Sequence, residues 1–194
     1  MNLTNYYWYF KSAIPERICD DIVKYGKSIS DQMAVTGGYG QGKNLNKKQI
    51  KDLKTKRDSN IVWMNDRWIY KEIQPYIHQA NANAGWNFQW DFSESCQFTK
   101  YEKGQFYDWH CDGWDQPYQR QEGDLSHGKI RKLSVTVSLS DPKDYKGGEL
   151  EFDFRNMDPD KKPNIRKCTE ILPKGSLVVF PGFVWHRVCP VKKG

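Results

Sequence analysis

The chain has 194 residues, of which 38% are hydrophobic and 28% are charged, and its formal net charge is +6. This length suffices for one domain with a substantial core, and the composition fits a soluble globular protein. No apolar run approaches the roughly 20 residues that cross a bilayer. The first residues, MNLTNYYWYFKSAIPERICDD, lack a basic segment followed by an apolar one. We therefore expect no membrane span, and we interpret the N-terminus as mature protein.

The cysteines predict the redox environment of the chain. Their odd number and irregular spacing do not suggest a disulfide framework, and there is no CxxC pair for a structural zinc site. We expect a reducing, cytoplasmic compartment.

Two helices are predicted in the first half of the chain. Residues 5–10 resemble a short strand, after which Ser12 and Pro15 open a helix that ends near Gly26. The apolar face of this helix comprises Ile18, Cys19, Ile22 and Val23. A second helix is expected over about 66–84, bent or divided at Pro75. Its predicted buried face comprises Trp68, Ile69, Ile73 and Ile77.

A long polar stretch, residues 36–60, separates the two helices. It opens with several glycines and contains the basic segment Lys43–Arg57. That segment is either a solvated loop or helix face, or a steering patch for an acidic partner or nucleic acid. Long loops inside compact domains are usually functional or disordered, so a lid over a substrate is a further hypothesis.

From Trp86 onward the pattern changes to short alternating strands separated by Gly, Pro and Asp turns, which is typical of a sandwich or jelly roll. We predict a mainly β fold with supporting helices, in a single domain over residues 1–194. Residues 1–85 would form the helical support and polar loop, and residues 86–194 the jelly-roll core. The predicted strands are residues 88–92, 96–101, 133–139, 149–154, 176–180 and 184–188.

Three side chains form a candidate metal site. His110 and Asp112 lie two residues apart, so on a strand they would share a face, and His186 follows a strand and a tight turn. Two imidazoles and one carboxylate can form the facial triad of non-haem Fe(II) oxygenases, which leaves three coordination positions open. The His110–Asp112 pair alone, or His186 alone, is weak evidence for a metal site. The occurrence of both in β-rich segments is much stronger evidence. His78 and His127 are interpreted as surface residues.

Four segments resemble a known family. Tyr101-Glu-Lys-Gly-Gln-Phe-Tyr-Asp-Trp-His-Cys-Asp112 is similar to the first metal motif of the Fe(II)/2-oxoglutarate-dependent dioxygenases. The similarity is strongest to the prolyl 4-hydroxylase-like branch and its bacterial and phage PKHD-type relatives. The segments 131–150, 173–180 and 186–194 resemble the strands that follow, so the match covers about residues 96–194.

This resemblance implies a double-stranded β-helix, a cupin-like jelly roll, with Fe(II) held by His110, Asp112 and His186. It implies 2-oxoglutarate as cosubstrate, with ascorbate as a further possible cofactor, and a reaction that couples its decarboxylation to succinate with substrate hydroxylation. The protein would leave positions open on the metal, orient the substrate and exclude water.

The resemblance also suggests residues that bind the cosubstrate. Tyr101 matches a position that hydrogen-bonds the cosubstrate in the family, although Tyr101 is equally a core aromatic. Ser134 and Ser138 share a strand face, which either lines the barrel and reaches the cosubstrate or is a plain polar face. The family places an Arg or Lys shortly after the distal His for the far carboxylate of 2-oxoglutarate. The sequence stops before that position, so we expect the natural chain to continue past Gly194. Within the chain Lys132 is a candidate, whereas Arg187 should point to the opposite face from His186.

Three aromatic residues flank the metal motif: Tyr107, Trp109 and Trp114. They either line a substrate groove or pack in the ordinary way. Cys111 should face away from the metal, so it is not assigned as a ligand.

The leading hypothesis is a hydroxylase of prolyl residues in a peptide or protein. One alternative keeps the chemistry but acts on nucleic acid or a small molecule, which the basic segment and the aromatic residues permit. Another is a non-catalytic metal-binding jelly-roll module. The sequence leaves the oligomeric state open.

Overall fold

The computed structural model describes residues 5–36, 45–121, 123–155, 158 and 160–194. These residues form three α-helices: α1 (Glu16–Ser28), α2 (Lys47–Lys54) and α3 (Arg67–Asn83). A 3-10 turn covers Thr169–Ile171. The strands are β1 (Trp8–Phe10), β2 (Gln32–Met33), β3 (Arg57–Asp58), β4 (Asn60–Met64), β5 (Cys96–Lys100), β6 (Phe106–His110), β7 (Leu133–Val137), β8 (Lys146–Gly147), β9 (Leu150–Asp153), β10 (Ile165–Lys167), β11 (Leu177–Pro181), β12 (Trp185–Val188) and β13 (Val191–Lys193).

The strands pair in antiparallel fashion throughout. One sheet has the order β1-β11-β7, and a second has the order β10-β9-β12-β6-β3. Strands β2, β4 and β5 form a third sheet, and β8 pairs with β13. The described part of the first 85 residues thus contributes four strands, of which the sequence predicted only β1.

Strand β11 organises the core, because all five of its residues are buried. Side chains alternate across a strand, so its two faces pack against different layers. Leu177 and Val179 pack with residues of α1 and α3, while Val178 and Phe180 pack with Phe152 on β9. A strand covered on both faces reads as a continuous apolar run, which is the pattern of LVVF in the sequence.

The polar stretch 36–60 is more structured than the sequence predicted. Helix α2 begins after Asn46, whose side chain accepts a hydrogen bond from Gln49 N while the Gln49 side chain accepts one from Asn46 N. This capping box offsets the unfavourable nucleation of a short helix. Strand β3 and the first residue of β4 follow helix α2 within the same stretch. The glycine-rich part, residues 37–44, lies outside the described residues, so the lid hypothesis stays a prediction.

Helix α3 is continuous through Pro75 and is not divided there. Ile69 and Ile73 are buried as expected, but Trp68 is 38% exposed, and its ring lies tilted at 58° to that of Tyr25. The prediction for Trp68 was therefore wrong, because its position on the helix falls at the border of the apolar face. No helix within the described ranges combines the length and apolarity that a membrane span requires.

The predicted strand at residues 88–92 is also wrong. Asn81 on α3 donates from Nδ2 to the Phe88 carbonyl and accepts from the Phe88 N–H, at 2.9 and 3.0 Å. The Asn81 carbonyl accepts from the N–H groups of Trp86 and Asn87. The Asn81 side chain, which belongs to helix α3, thus satisfies the backbone groups of Phe88 that a neighbouring strand would otherwise pair.

Gly175 fixes the N-terminal segment to the jelly roll. It has φ +77°, and a Cβ there would lie 2.0 Å from the Ile14 carbonyl oxygen. Its own carbonyl accepts from Ile14 N at 2.9 Å. Only glycine permits both the left-handed backbone and this close approach.

We expect Gly175→Ala to reduce the free energy of unfolding by roughly 2–5 kcal/mol, from the left-handed strain of about 1–2 kcal/mol together with overpacking of about 1–3 kcal/mol. The matched control is Gly128→Ala, since Gly128 has φ +71° with nothing within 4 Å of its Cβ position. Urea unfolding of both variants isolates the steric contribution. Equal destabilisation of the two would show that the contact with Ile14 is unimportant.

Candidate metal centre

The two histidines of the candidate site meet because β6 and β12 are neighbours in the five-stranded sheet. The register places His186 directly opposite His110. Directly opposed residues on antiparallel strands have side chains on one face, and the imidazole centroids are 4.1 Å apart. His186 is 6% exposed, beneath the rings of Phe152 and Phe180.

The ring nitrogens of both histidines have distinct roles. His110 Nδ1 lies 2.7 Å from the Asp108 carbonyl oxygen, and His186 Nδ1 lies 2.9 Å from the Val184 carbonyl oxygen. A carbonyl can only accept, so Nδ1 carries the proton and Nε2 presents a lone pair. Both Nε2 atoms lie 3.7 Å from oxygens of Asp112, Oδ1 for His110 and Oδ2 for His186.

Asp112 lies beyond the end of β6, so strand alternation does not orient it. Three contacts hold it instead. Its N–H donates to the Gly182 carbonyl at 2.8 Å, and its carbonyl accepts from Arg131 Nη1 at 3.2 Å. Ser134 Oγ, on β7, donates to Asp112 Oδ2 at 2.7 Å. The backbone and the carboxylate of Asp112 are thus both positioned by residues on or next to β7 and in the turn after β11.

The electrostatics of the site favour the forms that bind a cation. Burial lowers the pKa of His110 to about 3, with the neighbouring His186 acting in the same direction. Burial by itself would raise the pKa of Asp112, but the two imidazoles and the Ser134 hydrogen bond lower it below its ordinary value. At neutral pH the site therefore offers a neutral His110 imidazole and an ionised carboxylate.

These donors fit a divalent metal ion. The ligand atoms of His110, Asp112 and His186 all lie within 4.8 Å of one another, the only such group found among the described residues. The 3.7 Å separations suit two ligands of one ion with bonds of about 2.1 Å. Two imidazoles and a carboxylate on one side are typical of non-haem Fe(II) sites.

Of the residues predicted to bind the cosubstrate, Ser134 lies closest to the three ligands, but its hydroxyl is engaged with Asp112. Ser138 lies four residues further along the chain, roughly 13 Å away in an extended strand. Its N–H donates to Ser176 O, and its carbonyl accepts from Gly175 N. Tyr101 follows β5, and burial raises its pKa to about 12, so it stays a neutral hydroxyl. The in-chain candidate Lys132 accepts from Gly182 N through its carbonyl.

The three flanking aromatic residues lie in different places. The Tyr107 ring stacks on His110 with centroids 3.5 Å apart and so contacts the site directly. Trp109 instead stacks with the guanidinium of Arg187, 4.6 Å from the ring centroid. Trp114 is 56% exposed and meets Trp185 edge-on.

Two arginines near the site were missed by sequence reasoning. Arg131 contacts Asp112 and is ion-paired to Glu94 through its Nε at 2.6 Å. Arg57 lies with its Cζ 4.3 Å from the centroid of the Tyr107 ring. Arg57 was included only as the end of a basic segment, and its pairing with Tyr107 across β3 and β6 has no local signal in the sequence.

The comparison with protein families identifies the chain. The model of the 2OG-Fe(II) oxygenase superfamily matches residues 96–194, just over half of the sequence, including His110, Asp112 and His186. The chain therefore belongs to the 2OG-Fe(II) oxygenase superfamily. The cofactors of this family are Fe(II) and 2-oxoglutarate, and the donor set described above is consistent with them.

A curated relative indicates the branch. A PKHD-type hydroxylase of Xanthomonas euvesicatoria is 35% identical over 97 residues, which cover 50% of this chain and 38% of that protein. The match thus spans well under half the length of that relative. It supports the PKHD-type branch expected from the sequence.

Solved structures support the jelly-roll fold. The viral collagen prolyl hydroxylase of Paramecium bursaria Chlorella virus-1, in a complex with 2-oxoglutarate, has a TM-score of 0.62 at 21% identity. The comparison covers 98% of this chain and 91% of that one. A Pseudomonas putida prolyl-4-hydroxylase has a TM-score of 0.61 at 18% identity and covers 98% and 88% of the two chains. The double-stranded β-helix predicted from the sequence is confirmed.

We expect Asp112→Ala to weaken binding of Fe(II) or Co(II) by at least roughly 100-fold, because it removes the only anionic ligand of the site. Asp115→Ala removes an exposed carboxylate three residues away and should bind as the wild type does. Anaerobic calorimetric titration with each metal measures the difference. An Asp112→Ala variant with unchanged affinity would exclude this carboxylate as a ligand.

We expect Ser134→Ala to weaken metal affinity by about 10- to 100-fold, the usual effect of losing a group that orients a ligand. The hydrogen bond occupies Oδ2 and so favours one-oxygen coordination by Asp112, which keeps positions open on the metal. Ser134→Thr should retain the affinity, and the absorption spectrum of the Co(II) form should change only in Ser134→Ala. If the alanine variant had the affinity and spectrum of the wild type, the hydroxyl would have no positioning role.

Proposed function

We propose that the protein is an Fe(II)- and 2-oxoglutarate-dependent hydroxylase that acts on prolyl residues in a peptide or protein. The observation that carries the proposal is the convergence of His110, Asp112 and His186 at one point of a jelly roll. Superfamily membership supports the chemistry, and relatives named as PKHD-type and prolyl hydroxylases support the substrate class.

When bound, Fe(II) and 2-oxoglutarate supply the oxidising chemistry, in which decarboxylation of the cosubstrate to succinate is coupled to hydroxylation of the substrate. His110 and His186 would hold the metal through Nε2, since Nδ1 of each is engaged with a carbonyl. Asp112 would supply the third bond, oriented by Ser134 and Arg131. Burial of the His186 side chain beneath Phe180 excludes water from one side of the site.

A groove on the surface supports a peptide substrate. A cavity of about 510 Å³ is lined by Tyr70, Gln74, His78, Trp90, Asp91, Phe92 and Ser93. The Tyr70 hydroxyl donates to the carbonyl of Glu94, the residue whose carboxylate pairs with Arg131 beside the metal ligands. The groove is thus linked to the candidate metal centre through Glu94 and Arg131. Stacked rings such as His78 and Trp90 are common in surfaces that bind proline-rich segments.

A nucleic acid is the second candidate substrate, and the observation that favours it is helix α2. Its exposed lysines Lys47, Lys48 and Lys51 lie on the segment that leads directly into β3, the neighbour of β6. Such a basic face would attract phosphates as well as acidic peptides.

We also propose a reducing compartment, such as the cytoplasm. All five cysteines, each within the described ranges, are free thiols. Oxidising compartments favour disulfides in proteins of this size, so the free thiols support this proposal.

We expect succinate release, with Fe(II) and 2-oxoglutarate present, to rise in the presence of proline-containing peptides. The same peptides with alanine in place of proline should not stimulate it. Mass spectrometry of the product peptides should show the added mass of one oxygen atom on proline.

Oligonucleotides assayed in parallel test the second candidate substrate. Coupled turnover with oligonucleotides alone would contradict the prolyl proposal, and binding of the cofactors without turnover of any substrate would favour a non-catalytic module.

A further inference from the structure

Trp63 is a large aromatic residue that strand β4 presents to solvent. Its neighbours Val62 and Met64 are buried, whereas Trp63 is 46% exposed. Val62 and Met64 pack with residues of α1 and α3, so strand alternation places Trp63 on the face of the sheet that is turned away from these helices. Single exposed apolar residues are common on protein surfaces, so the surroundings of Trp63 decide whether it has a role.

The face that carries Trp63 also carries Arg57. Residues 57–64 form strands β3 and β4 with only Ser59 between them. Arg57 Nε donates to Ser59 Oγ at 3.0 Å, so the odd-numbered residues share one side of this segment. Trp63 lies opposite Gln97 on β5, and Gln97 Oε1 accepts a hydrogen bond from Arg57 Nη2 at 2.6 Å. Gln97 therefore connects the position of Trp63 to Arg57.

Arg57 in turn connects this face to the candidate metal centre. Its guanidinium lies 4.3 Å from the centroid of the Tyr107 ring and is hydrogen-bonded to the Tyr107 side chain. The Tyr107 ring stacks on His110 with centroids 3.5 Å apart. Three side chains, those of Tyr107, Arg57 and Gln97, thus separate His110 from the position of Trp63.

Trp63 is also linked to the groove that Tyr70 and Trp90 line. Asn65 follows Trp63 by two residues, and its Oδ1 lies 3.3 Å from the Tyr70 hydroxyl. The exposed ring of Trp63 therefore has the groove in reach on one side and the side chains that lead to the metal centre on the other.

We propose that Trp63 is a specificity-determining residue, whose exposed ring stacks on a prolyl ring that flanks the hydroxylated residue of the substrate. This inference rests on the proposed function, which supplies the peptide. Proline-rich segments dock on aromatic side chains, because their preformed extended helix loses little entropy on binding. Such a helix advances about 3.1 Å per residue, so a proline a few residues from the reacting one reaches a ring that three side chains separate from His110. The substrate class is therefore a peptide with a second proline near the one that is hydroxylated.

Two other exposed tryptophans are less suitable. Trp114 contacts Trp185, which precedes His186 on β12 and so points to the opposite face of that strand. Trp114 therefore meets the side of β12 that is turned away from the metal ligands. Trp68 on α3 pairs with the ring of Tyr25, with centroids 6.2 Å apart. Trp68 thus serves as the matched control, an exposed tryptophan outside the proposed surface.

The test uses two peptides that differ only at the positions flanking the target proline. One peptide carries prolines on both sides of the target, and the other carries alanines there. Anaerobic calorimetric titration into the protein loaded with Fe(II) and 2-oxoglutarate measures each dissociation constant without turnover, and succinate release gives KM and kcat separately. The variants are Trp63→Ala, Trp63→Phe and the control Trp68→Ala, and urea unfolding verifies that each variant is folded.

We expect Trp63→Ala to raise the dissociation constant and the KM of the proline-flanked peptide by roughly 3- to 10-fold, the effect of losing one ring-stacking contact, with kcat unchanged. Trp63→Phe should show a smaller loss, because it keeps a ring. Neither variant should alter binding of the alanine-flanked peptide, and Trp68→Ala should bind both peptides as the wild type does.

Other outcomes would overturn the assignment. Equal weakening of both peptides in Trp63→Ala, or the same loss in Trp68→Ala, would mean that the ring supports the fold and does not bind a proline. Unchanged affinity of Trp63→Ala for the proline-flanked peptide would exclude Trp63 from the binding surface while the wild type still hydroxylates both peptides. If the wild type binds and hydroxylates neither peptide, the proposed function itself fails, a result distinct from failure of Trp63 alone.

Discussion

The antiparallel pairing of β6 with β12 is the constraint on which the candidate site depends. It brings two histidines that are remote in the chain into direct cross-strand opposition. The pairing is itself held between β9 and β3 within one sheet, and Phe152 and Phe180 pack against His186 from the core. A shift of one residue in register would move His186 to the other face of the sheet. Core packing and metal binding therefore depend on the same strand alignment.

The carboxylate ligand depends on a different set of contacts. Asp112 lies after β6, and the turn between β11 and β12 reaches it through Gly182. Gly113 and Gly182 both approach the Arg131 carbonyl so closely that a Cβ at either would lie within 3.0 Å of it. This tight meeting of three segments allows Ser134 on β7, and Arg131 just before it, to hold Asp112. The two sheets of the jelly roll thus each contribute to one metal site.

The N-terminal third of the chain is part of the site as well as its support. Helix α2 and strand β3 bring Arg57 against Tyr107, and the neutral side chains of Ser59 and Gln97 fix its orientation. A buried arginine without an acid would reduce stability in an ordinary core. The Arg57 charge is instead surrounded by neutral hydrogen-bond acceptors and by the Tyr107 ring.

Local sequence patterns predicted much of the fold and of the candidate metal site. The alternation of β5, β7 and β9, the apolar run of β11 and the two long helices could be predicted, because each has a short-range signal of spacing or periodicity. The sequence also predicted that His110, Asp112 and His186 would lie together, from the spacing of the first two and the strand context of the third. Patterns failed where a partner remote in sequence intervened. The Asn81 side chain satisfied the backbone of Phe88, where the sequence predicted the start of a strand. The Ser134 hydroxyl turned to Asp112, and Arg57 came to lie beneath Tyr107. Only the tertiary structure decided these contacts, because hydrogen bonds and buried charges depend on which groups meet in space, and periodicity does not encode those meetings.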